Sequence, residues 1–404
     1  MTAEAIEGAP STRVLEAPAQ HGDPFGVYIH VPFCAHICPY CDFNTYAGQS
    51  VLIPDYVAAA TDEIASWAPR FAGRVAESIF FGGGTPSQLS VDHVESLLAA
   101  CRSEFDLVRN AEISFEANPN DLSEKYCAGL LDAGVTRLSL GAQSLDRHGL
   151  RVLGRLHEAT DTARSVAAAR AAGFSNISLD LIYGWPGQAT VQWRGELERV
   201  LAGEIGGTAP GHLSLYGLIV EPGTPMADAV QRGIFTPVDD DAAAELYEIA
   251  RETLAAAGWL HYEIANWSAS DRTCSRHNAI YWRNGDYAGI GAGAHAHAAG
   301  QRSMNQPSPK RYIAALAAGR SPITNVETID ARTAMGETMM LGLRLIRDGV
   351  SASAFQARHG VSLWEQFGAQ IRALERSDLI ERRNGVRLTP RGALLANTVC
   401  AEFV

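Results

Sequence analysis

Residues 28–44, YIHVPFCAHICPYCDFN, place three cysteines directly after a short segment of β-branched and aromatic residues. That segment, VYIHV (27–31), is typical of a strand, and Cys34, Cys38 and Cys41 follow it in a C-x3-C-x2-C spacing. Soft thiolate ligands suit iron–sulfur clusters, and three of them on one loop can hold three irons of a cubane [4Fe–4S] cluster. The fourth iron would then be open to a small molecule. The stretch therefore predicts a strand that leads into a metal-binding loop.

Zinc is the alternative metal for this loop. Zinc usually takes four ligands, so His30 or His36 would have to join the three cysteines. A zinc site gives no reason for the barrel and the glycine-rich strand described below, and we therefore expect the iron–sulfur cluster. The four other cysteines are far apart in the sequence and are interpreted as small buried residues: Cys101, Cys127, Cys274 and Cys400.

Length and composition describe an ordinary soluble globular protein. The chain has 404 residues, of which 47% are hydrophobic and 19% charged, and it should form one large domain and a smaller one. No apolar run is long enough for a membrane span, and the net charge of −12 argues against general nucleic-acid binding. Residues 1–25 resemble neither a signal peptide nor a transit peptide, which predicts a flexible tail on a cytoplasmic protein. Seven cysteines, an odd number, argue against a disulfide framework.

Strands and helices alternate from residue 27 to about residue 219. Six strands separated by helical segments call for a parallel sheet, and six units instead of eight predict an α/β fold with a partial (β/α)6 barrel. Chemistry in barrels belongs to the C-terminal strand ends, where the cysteine loop should lie because it follows the first strand. The predicted strands are 27–31, 78–83, 112–117, 136–141, 176–182 and 212–219. The predicted helices are 55–70, 91–104, 123–133, 161–172 and 188–202.

The alternation stops after the barrel, which we assign to residues 26–225. Residues 226–325 are predicted as an extension of the barrel, with a helix at 240–257 and a strand at 259–265. This extension also contains the segment HNAIYW (277–282), predicted as a loop, and the segment GIGAGAHAH.

Residues 326–404 are predicted as a C-terminal winged-helix-like α+β domain, preceded by a linker at 319–333. Two helical segments, 334–346 and 362–377, come before a short strand, a helix N-cap at Thr389 and a closing helix. From residue 334 onward nine arginines face seven acidic residues, which is too balanced for a phosphate-binding surface. A structural or interaction role is therefore expected.

The cysteine loop resembles that of the radical S-adenosylmethionine superfamily. The C-x3-C-x2-C spacing with Tyr40 before the last cysteine matches, and the run Gly82–Pro86 (GGGTP) fits the glycine strand of that superfamily. Within it, the chain is similar to the oxygen-independent coproporphyrinogen oxidase group from residue 27 to about residue 400. The matching motifs, in order, are GGGTPS, SFEANP (114–119), LGAQS (140–144), LGRLH (153–157) and LDLIYGWPGQ (179–188).

This resemblance implies a [4Fe–4S] cluster on the three cysteines, with S-adenosyl-L-methionine chelating the open iron through its amino and carboxylate groups. Residues that match contacts to this ligand are Tyr28, Gly83, Gly84, Thr85 and Glu116. Residues that match contacts to a second S-adenosylmethionine in the oxidases are Gln143, Arg155 and Asp180. Glycines also let a ligand approach the backbone closely. Hydrogen bonding inside the barrel is the alternative role for Gln143.

Departures from the oxidase pattern point to the heme chaperones of this group. The oxidases have a further cysteine where this chain has Phe43, and they carry a longer N-terminal segment that helps to cover the substrate. The segment HNAIYW fits the H-N-x-x-Y-W motif of the chaperones. The His277 imidazole can ligate heme iron while Tyr281 and Trp282 pack on the porphyrin; a buried core histidine is the alternative. Further candidate heme ligands are His295 and His297.

The sequence thus predicts a heme chaperone that binds heme, a [4Fe–4S] cluster and S-adenosyl-L-methionine, and delivers heme to apo-proteins such as respiratory enzymes. One alternative is an oxygen-independent coproporphyrinogen III oxidase, which decarboxylates propionates in porphyrin metabolism. Another is a structural or regulatory protein that uses the winged helix. Expected partners are heme, heme-accepting apo-proteins and a reductant for the cluster, without nucleic acid. A homodimer and a peripheral association with the membrane stay open.

Overall fold

The computed structural model describes residues 23–404, so the predicted tail, 1–25, lies outside the described residues except for its last three. Among the residues described, every helix is too short or too polar to span a bilayer. The strands are β1 Phe25–Val31, β2 Phe33–Cys34, β3 Tyr46–Ala47, β4 Val75–Gly83, β5 Asp106–Ala117, β6 Arg137–Gln143, β7 Ile177–Tyr183, β8 His212–Gly217, β9 Leu260–Glu263, β10 Asn266–Ser268, β11 Tyr287–Ile290, β12 His295–Ala298, β13 Gln301–Asn305, β14 Ile323–Thr328, β15 Val350–Ser351, β16 Ile380–Arg382 and β17 Gly385–Leu388. The helices are α1 Ile53–Trp67, α2 Val91–Glu104, α3 Glu124–Ala133, α4 Arg147–Val152, α5 Ala159–Ala172, α6 Thr190–Leu201, α7 Pro225–Gln231, α8 Asp240–Ala256, α9 Arg276–Trp282, α10 Pro309–Ala317, α11 Ala331–Gly342, α12 Ala352–His359, α13 Leu363–Arg376, α14 Pro390–Leu394 and α15 Ala396–Ala401.

Six parallel strands form the centre of the molecule. Strands β1, β4, β5, β6, β7 and β8 pair in parallel in this order, and helices α1, α2, α3, α5 and α6 connect them. β1 and β7 are each buried at every position except the middle one, as expected for strands of a parallel sheet that are covered on both faces. This arrangement confirms the predicted α/β fold with a partial barrel.

The helices of the barrel are amphipathic and end where the sequence places glycine. α3 buries Cys127, Leu130 and Ala133, which recur at three-residue spacing on one face. Both α3 and α5 end at a glycine in the left-handed region, Gly134 at φ 106° and Gly173 at φ 112°, which reverses the chain into the next strand. Of the four cysteines predicted to be buried, three are, and Cys274 is partly exposed.

The sheet continues beyond the six strands on both sides, in the order β14-β13-β12-β11-β1-β4-β5-β6-β7-β8-β10-β9. β11 pairs in parallel with β1, with Gly289 opposite Tyr28, and therefore adds a seventh parallel strand from a region where we expected the pattern to have ended. Two further expectations were wrong. The HNAIYW segment is helical, in α9, and the expected linker contains β14, which pairs with β13.

The C-terminal part has its own small sheet and its own core. β17 lies between β15 and β16 in an antiparallel sheet, and α11, α12 and α13 surround it. The N-cap at Thr389 is confirmed, because its hydroxyl accepts a hydrogen bond from the Gly392 N–H at 3.0 Å. The predicted closing helix is broken at Leu395 into α14 and α15. The domain boundaries at 225 and 325 stay predictions. The second core comprises Met339, Leu343, Val350, Phe355, Leu363, Phe367, Ile371, Leu374, Ile380, Val386, Leu388, Ala396, Val399, Cys400 and Phe403.

Candidate iron–sulfur and cofactor site

The three cysteines lie on one loop at the C-terminal end of β1. Cys34 ends the short strand β2, and Cys38 and Cys41 follow in a turn in which the Cys41 N–H donates to the Cys38 carbonyl at 3.1 Å. The loop returns to the barrel where the Tyr46 N–H donates to the Pro32 carbonyl at 2.7 Å. All three thiols are half-buried and none is in a disulfide. The first strand thus places the cysteine loop at the face formed by the C-terminal ends of the barrel strands, as predicted.

The electrostatics of these thiols fit a shared metal cluster. Burial raises the pKa of Cys34 and of Cys41, and the neighbouring cysteine sulfurs raise it further. The sulfurs are therefore close enough to repel one another as thiolates. Iron ions between them would offset this repulsion and hold the thiols deprotonated.

His30 is not available as the fourth ligand of a zinc ion, which leaves His36 as the remaining candidate of the two. The Nδ1 atom of His30 is hydrogen-bonded to the Tyr28 hydroxyl at 2.9 Å, and its Nε2 atom to the Asn44 carbonyl at 3.0 Å. Both ring nitrogens are therefore engaged within the protein. Across residues 23–404, no three His, Cys, Asp or Glu side chains, the three cysteines included, are grouped around a single metal ion. A cubane cluster does not require that grouping, because each of its cysteines binds a different iron.

A chain of hydrogen bonds links two of the cysteine sulfurs through the barrel. The Thr85 hydroxyl donates to Cys34 Sγ at 3.3 Å and accepts from Asn118 Nδ2 at 3.4 Å. The Asn118 carbonyl oxygen accepts from Arg155 Nη2 at 2.5 Å, and Arg155 Nη1 donates to Cys38 Sγ at 3.4 Å. Donors aimed at sulfur stabilise thiolate ligands and tune a cluster. Asn118 was missed as a site residue, although it lies within the SFEANP motif directly after a strand.

Five of the predicted contact residues lie on neighbouring strands of the barrel and keep some accessible surface. They are Tyr28 on β1, Gly83 on β4, Glu116 on β5, Gln143 on β6 and Asp180 on β7, and Tyr28 and Asp180 are the only accessible residues of their strands. They belong to neighbouring strands, so they surround one interior space. Five of the eight predicted cofactor-contact residues are therefore brought together inside the barrel, and Thr85 and Arg155 lie beside the cysteines.

Two carboxylates give this interior a preference for a cation. Burial raises the pKa of Glu116 to about 8, with a further contribution from Asp180, and the Gly83 N–H donates to Glu116 Oε2 at 3.3 Å. Burial also raises the pKa of Asp180, which accepts hydrogen bonds from the Ser139 hydroxyl at 3.0 and 3.2 Å. Like charges in a confined space disfavour joint ionisation unless a cation joins them. The cationic amino and sulfonium groups of S-adenosylmethionine fit this requirement.

The packing of β4 against β1 requires the glycines at the end of β4. Gly83 has φ +109°, and a Cβ atom there would collide with the His30 ring. A Cβ atom on Gly84 would lie 2.9 Å from the Val31 carbonyl oxygen, which accepts the Gly84 N–H at 2.9 Å. We expected glycine here so that a ligand could approach the backbone. The structure uses both glycines to bring the ends of β1 and β4 together, and the approach of a ligand to this backbone stays a prediction.

Gln143 is one of the few non-glycine residues in the left-handed region, at φ +63°. Its side-chain nitrogen lies beside Gly141, where the Arg155 guanidinium also donates to the Gly141 carbonyl at 3.1 Å. Strained conformations of this kind persist where surrounding contacts hold them, and they cluster at functional sites. Gln143 therefore lies next to the hydrogen bonds that reach the cysteines.

The predicted heme ligand His277 has no open nitrogen in this structure. The ring is fully buried, with Nδ1 hydrogen-bonded to the Ser78 hydroxyl and Nε2 to the Tyr281 hydroxyl, both at 2.8 Å. It stacks on Phe80, and burial lowers its pKa to about 3. Ligation of heme by His277 would require one of these two hydrogen bonds to break and the buried ring to become accessible. The alternative of a satisfied core histidine describes this conformation.

The HNAIYW helix and the cysteine loop lie toward opposite ends of the first strands. His277 contacts Gly26 and Ser78, which face each other near the beginning of β1 and β4. The cysteines follow Val31, at the other end of β1. Trp282 is the last residue of this helix, with the Arg344 guanidinium 5.7 Å from the centre of its ring. His277 is therefore separated from the cysteines along β1, although its ring lies 6.5 Å from that of Tyr28, one of the predicted S-adenosylmethionine contacts.

A partial barrel with three cysteines after its first strand and carboxylates in its interior defines the class of radical S-adenosylmethionine proteins. Residues 28–195 match the profile of the Radical SAM superfamily, and residues 329–395 match that of the HemN C-terminal domain. Coproporphyrinogen III oxidase (HemN) from Escherichia coli superposes with a TM-score of 0.79 and 21% identity, covering 94% of this chain and 90% of that one. At this identity the likeness concerns the fold alone.

Relatives that match over most of their length show which family within this class the chain belongs to. The heme chaperone HemW of Bacillus subtilis (strain 168) is 36% identical over 382 residues, covering 93% of this chain and 98% of that protein. HemW of Mycobacterium tuberculosis (strain ATCC 25618 / H37Rv) is 36% identical over 383 residues, covering 94% of each protein. The chain belongs to the family of the heme chaperone HemW.

Proposed function

We propose that this protein is a heme chaperone, which binds heme and delivers it to apo-proteins such as respiratory enzymes. The observation that carries the proposal is the 36% identity to the heme chaperone HemW of Bacillus subtilis over 98% of that protein. Two features of the chain support it. Phe43 stands where the oxidases have a further cysteine, and the HNAIYW segment has the residues of the chaperone motif.

Cys34, Cys38 and Cys41 would hold a [4Fe–4S] cluster, with S-adenosyl-L-methionine next to it in the barrel interior. When bound, the cluster supplies an open iron and an electron. Thr85 and Arg155 then donate hydrogen bonds to the thiolates of Cys34 and Cys38. Tyr28, Gly83, Gly84 and Glu116 are the proposed contacts to S-adenosylmethionine, and Gln143, Arg155 and Asp180 are the proposed contacts to a second molecule.

The same proposal also covers where the protein acts and what it binds besides heme. The protein acts in the cytoplasm with a reductant for its cluster, and it binds no nucleic acid, in keeping with its net charge of −12. A homodimer and a peripheral membrane association are compatible with it, and size-exclusion chromatography and vesicle flotation of the full chain would decide each.

The experiment that tests the function is a heme titration of the anaerobically reconstituted protein, followed by mixing with an apo-acceptor such as an apo-cytochrome. Reconstitution should give about four irons and four sulfides per chain. We expect a Soret band that saturates and then moves to the acceptor spectrum. A flat Soret response, or bound heme that never transfers, contradicts the proposal.

The oxidase alternative predicts a different product. If the protein is a chaperone, an anaerobic incubation with coproporphyrinogen III, S-adenosylmethionine and a reductant should leave the coproporphyrinogen III unchanged. Conversion to protoporphyrinogen would replace the chaperone function by the oxidase function, whatever the heme titration shows.

A further inference from the structure

A cavity of about 430 Å³ lies between the residues after Cys41 and the hairpin of β12 and β13. Ligand sites in proteins typically have about 300–1,000 Å³. The side chains that matter for its chemistry are Phe43, Tyr46, His295 and Met304.

Directed hydrogen bonds hold the walls of this cavity in place. Asn44 Nδ2 donates to the Ala292 carbonyl at 3.0 Å and to the Pro307 carbonyl at 3.1 Å, and the Tyr46 hydroxyl donates to the same Pro307 carbonyl at 3.2 Å. Gly293 has φ +77°, and a Cβ atom there would overlap the Asn44 amide. The cysteine loop and the β11–β12 turn are therefore joined by specific contacts at the cavity.

His295 is the open coordinating group of this cavity. It is exposed on β12, and its ring makes no hydrogen bond within residues 23–404. His297, two residues later on the same strand, differs: its Nδ1 atom is hydrogen-bonded to the Gly285 carbonyl at 3.1 Å. Of the histidines His277, His295 and His297, only His295 combines a free ring with a cavity in the part of the chain described.

The cavity also offers apolar contact surface for a flat ligand. Phe43 is 68% exposed, which is unusual for a phenylalanine held between two structured segments. Met304 lies directly opposite His295 in the β12–β13 pair, so both side chains leave the same face of the hairpin. An aromatic ring, a thioether and an imidazole around one cavity are the groups with which proteins hold heme.

We propose that this cavity is the heme seat, with His295 as the axial ligand and Phe43 and Met304 packed against the porphyrin. The assignment rests on the proposed chaperone function and specifies its site. Because His295 and Met304 project from the same face, they cannot ligate iron from opposite sides of one porphyrin. The second axial position is therefore left for a ligand of the acceptor protein, which suits a heme that must be passed on.

This site also gives Phe43 a physical role. The residue that replaces a cysteine of the oxidase pattern lines the cavity. The seat thus adjoins the cluster loop, and none of its lining residues is among the proposed S-adenosylmethionine contacts.

The test is a titration of the full, reconstituted chain with ferric heme, comparing wild type, His295→Ala and the matched control His297→Ala. We expect His295→Ala to weaken heme binding about tenfold or more and to shift the Soret maximum, with His297→Ala within about twofold of wild type. Phe43→Ala changes a second exposed residue of the cavity. It should weaken heme binding several-fold without shifting the Soret maximum. Iron content should match wild type in all three variants, since these positions do not ligate the cluster.

The outcomes separate this inference from the function on which it rests. If wild type binds no heme, the chaperone function fails, and the seat with it. If wild type binds heme and His295→Ala binds it equally well with an unchanged Soret band, the seat is wrong while the function stands. Loss of binding in His297→Ala alone would also overturn the assignment to His295.

Discussion

At the residue scale, the environment of the cysteine sulfurs is made by Thr85, Asn118 and Arg155. A hydroxyl and a guanidinium donate to Cys34 Sγ and Cys38 Sγ, and the Asn118 amide joins these two donors. Arg155 Nε is buried and has no hydrogen-bond partner within residues 23–404, so its positive charge is not fully used by the protein. A negatively charged, thiolate-bound cluster next to Arg155 would account for this unpaired donor.

Thr85→Val should lower the reduction potential of the cluster. The substitution keeps the shape of the side chain but removes the O–H donor to Cys34 Sγ, and hydrogen bonds to sulfur favour the reduced, more negative state. A redox titration monitored by electron paramagnetic resonance measures the change. Thr61→Val, which removes a hydroxyl bonded to the Val57 carbonyl in α1, is the control and should leave the potential unchanged. A rise in potential in Thr85→Val would contradict the assigned role.

Glu116→Gln should weaken the binding of S-adenosylmethionine about 10- to 150-fold, since the loss of one charge-assisted contact is worth about 1.5–3 kcal/mol. The carboxylate lies in the barrel interior beside Asp180, and removing its charge leaves less attraction for the cationic ligand. Calorimetric titration of the reconstituted protein measures the affinity. Glu124→Gln, at an exposed position in the first turn of α3, is the matched control. Equal affinities in both variants would exclude Glu116 as a contact.

At the scale of secondary-structure elements, one buried carboxylate joins α1 to the β11–β12 turn and to α10. Glu63 on α1 is 1% exposed and accepts hydrogen bonds from the Gly291 N–H at 2.8 Å, Asn305 Nδ2 at 2.6 Å and the Tyr312 hydroxyl at 2.6 Å. The same turn forms part of the wall of the cavity. Glu63 therefore fixes the position of the hairpin relative to the barrel.

Glu63→Gln should destabilise the protein by about 1–3 kcal/mol, because the amide cannot accept from all three donors and leaves one of them unpaired. The destabilisation should depend on pH. Burial raises the pKa of Glu63 from 4.5 to about 7, so the native state binds a proton more readily than the unfolded chain does. The stabilisation due to this proton is complete below about pH 4.5 and is lost as the pH rises toward 7.

The difference in thermal midpoint between wild type and Glu63→Gln should therefore be larger at about pH 5 than at about pH 8. Other buried carboxylates with raised pKa values, such as Glu196 and Glu263, are present in both proteins and cancel in the difference. A deficit that grows with pH would mean that the three donors lower the native pKa of Glu63 below its unfolded value.

At the scale of the whole molecule, the C-terminal part docks on the end of the HNAIYW helix. The Arg358 guanidinium donates to the carbonyls of Arg283, at 2.9 Å, and of Asn284. Asn284 Nδ2 in turn donates to the Thr338 hydroxyl at 3.2 Å, and the Ile264 N–H donates to the Arg344 carbonyl at 3.1 Å. The helix therefore connects the N-terminal ends of the barrel strands to the C-terminal core. A structural role for the C-terminal part, as the balanced charges predict, agrees with these contacts.

Arg358→Ala should loosen this docking and cost about 1.5–3 kcal/mol, the usual range for hydrogen bonds from a charged donor. In a thermal melt we expect the C-terminal core to unfold in a separate, earlier transition. Arg376→Ala, at an exposed position near the end of α13, is the control and should melt as wild type does. A single unshifted transition in Arg358→Ala would show that other contacts are enough to hold the C-terminal part on the helix.

Much of the barrel could be predicted because its information is local. Strands such as β7 are short segments rich in isoleucine and leucine, α3 repeats its apolar residues at helical spacing, and both α3 and α5 stop at a glycine. Thr389 was recognisable as an N-cap from its neighbours alone. Short-range patterns of this kind depend on the backbone geometry of one element at a time.

The parts that were missed depend on partners distant in the sequence. β11 has only four residues, and what makes it a seventh parallel strand is β1, which lies about 260 positions earlier. The sequence left open whether His277 is a heme ligand or a buried core histidine, and in the structure Ser78 and Phe80 of β4 contact the buried ring. No local pattern reveals contacts of this range.

The sequence by itself determined the cysteine loop, the six-strand barrel and the relationship to the heme chaperones, because spacing and periodicity are encoded in neighbouring residues. Only the tertiary structure decided which histidine is open. His277 and His295 lie 18 residues apart in the chain. One is enclosed by strands from the N-terminal half of the barrel, whereas the other faces a cavity formed by the cysteine loop. Burial and hydrogen-bond saturation arise from packing between distant segments, and that packing separates a core residue from a candidate ligand.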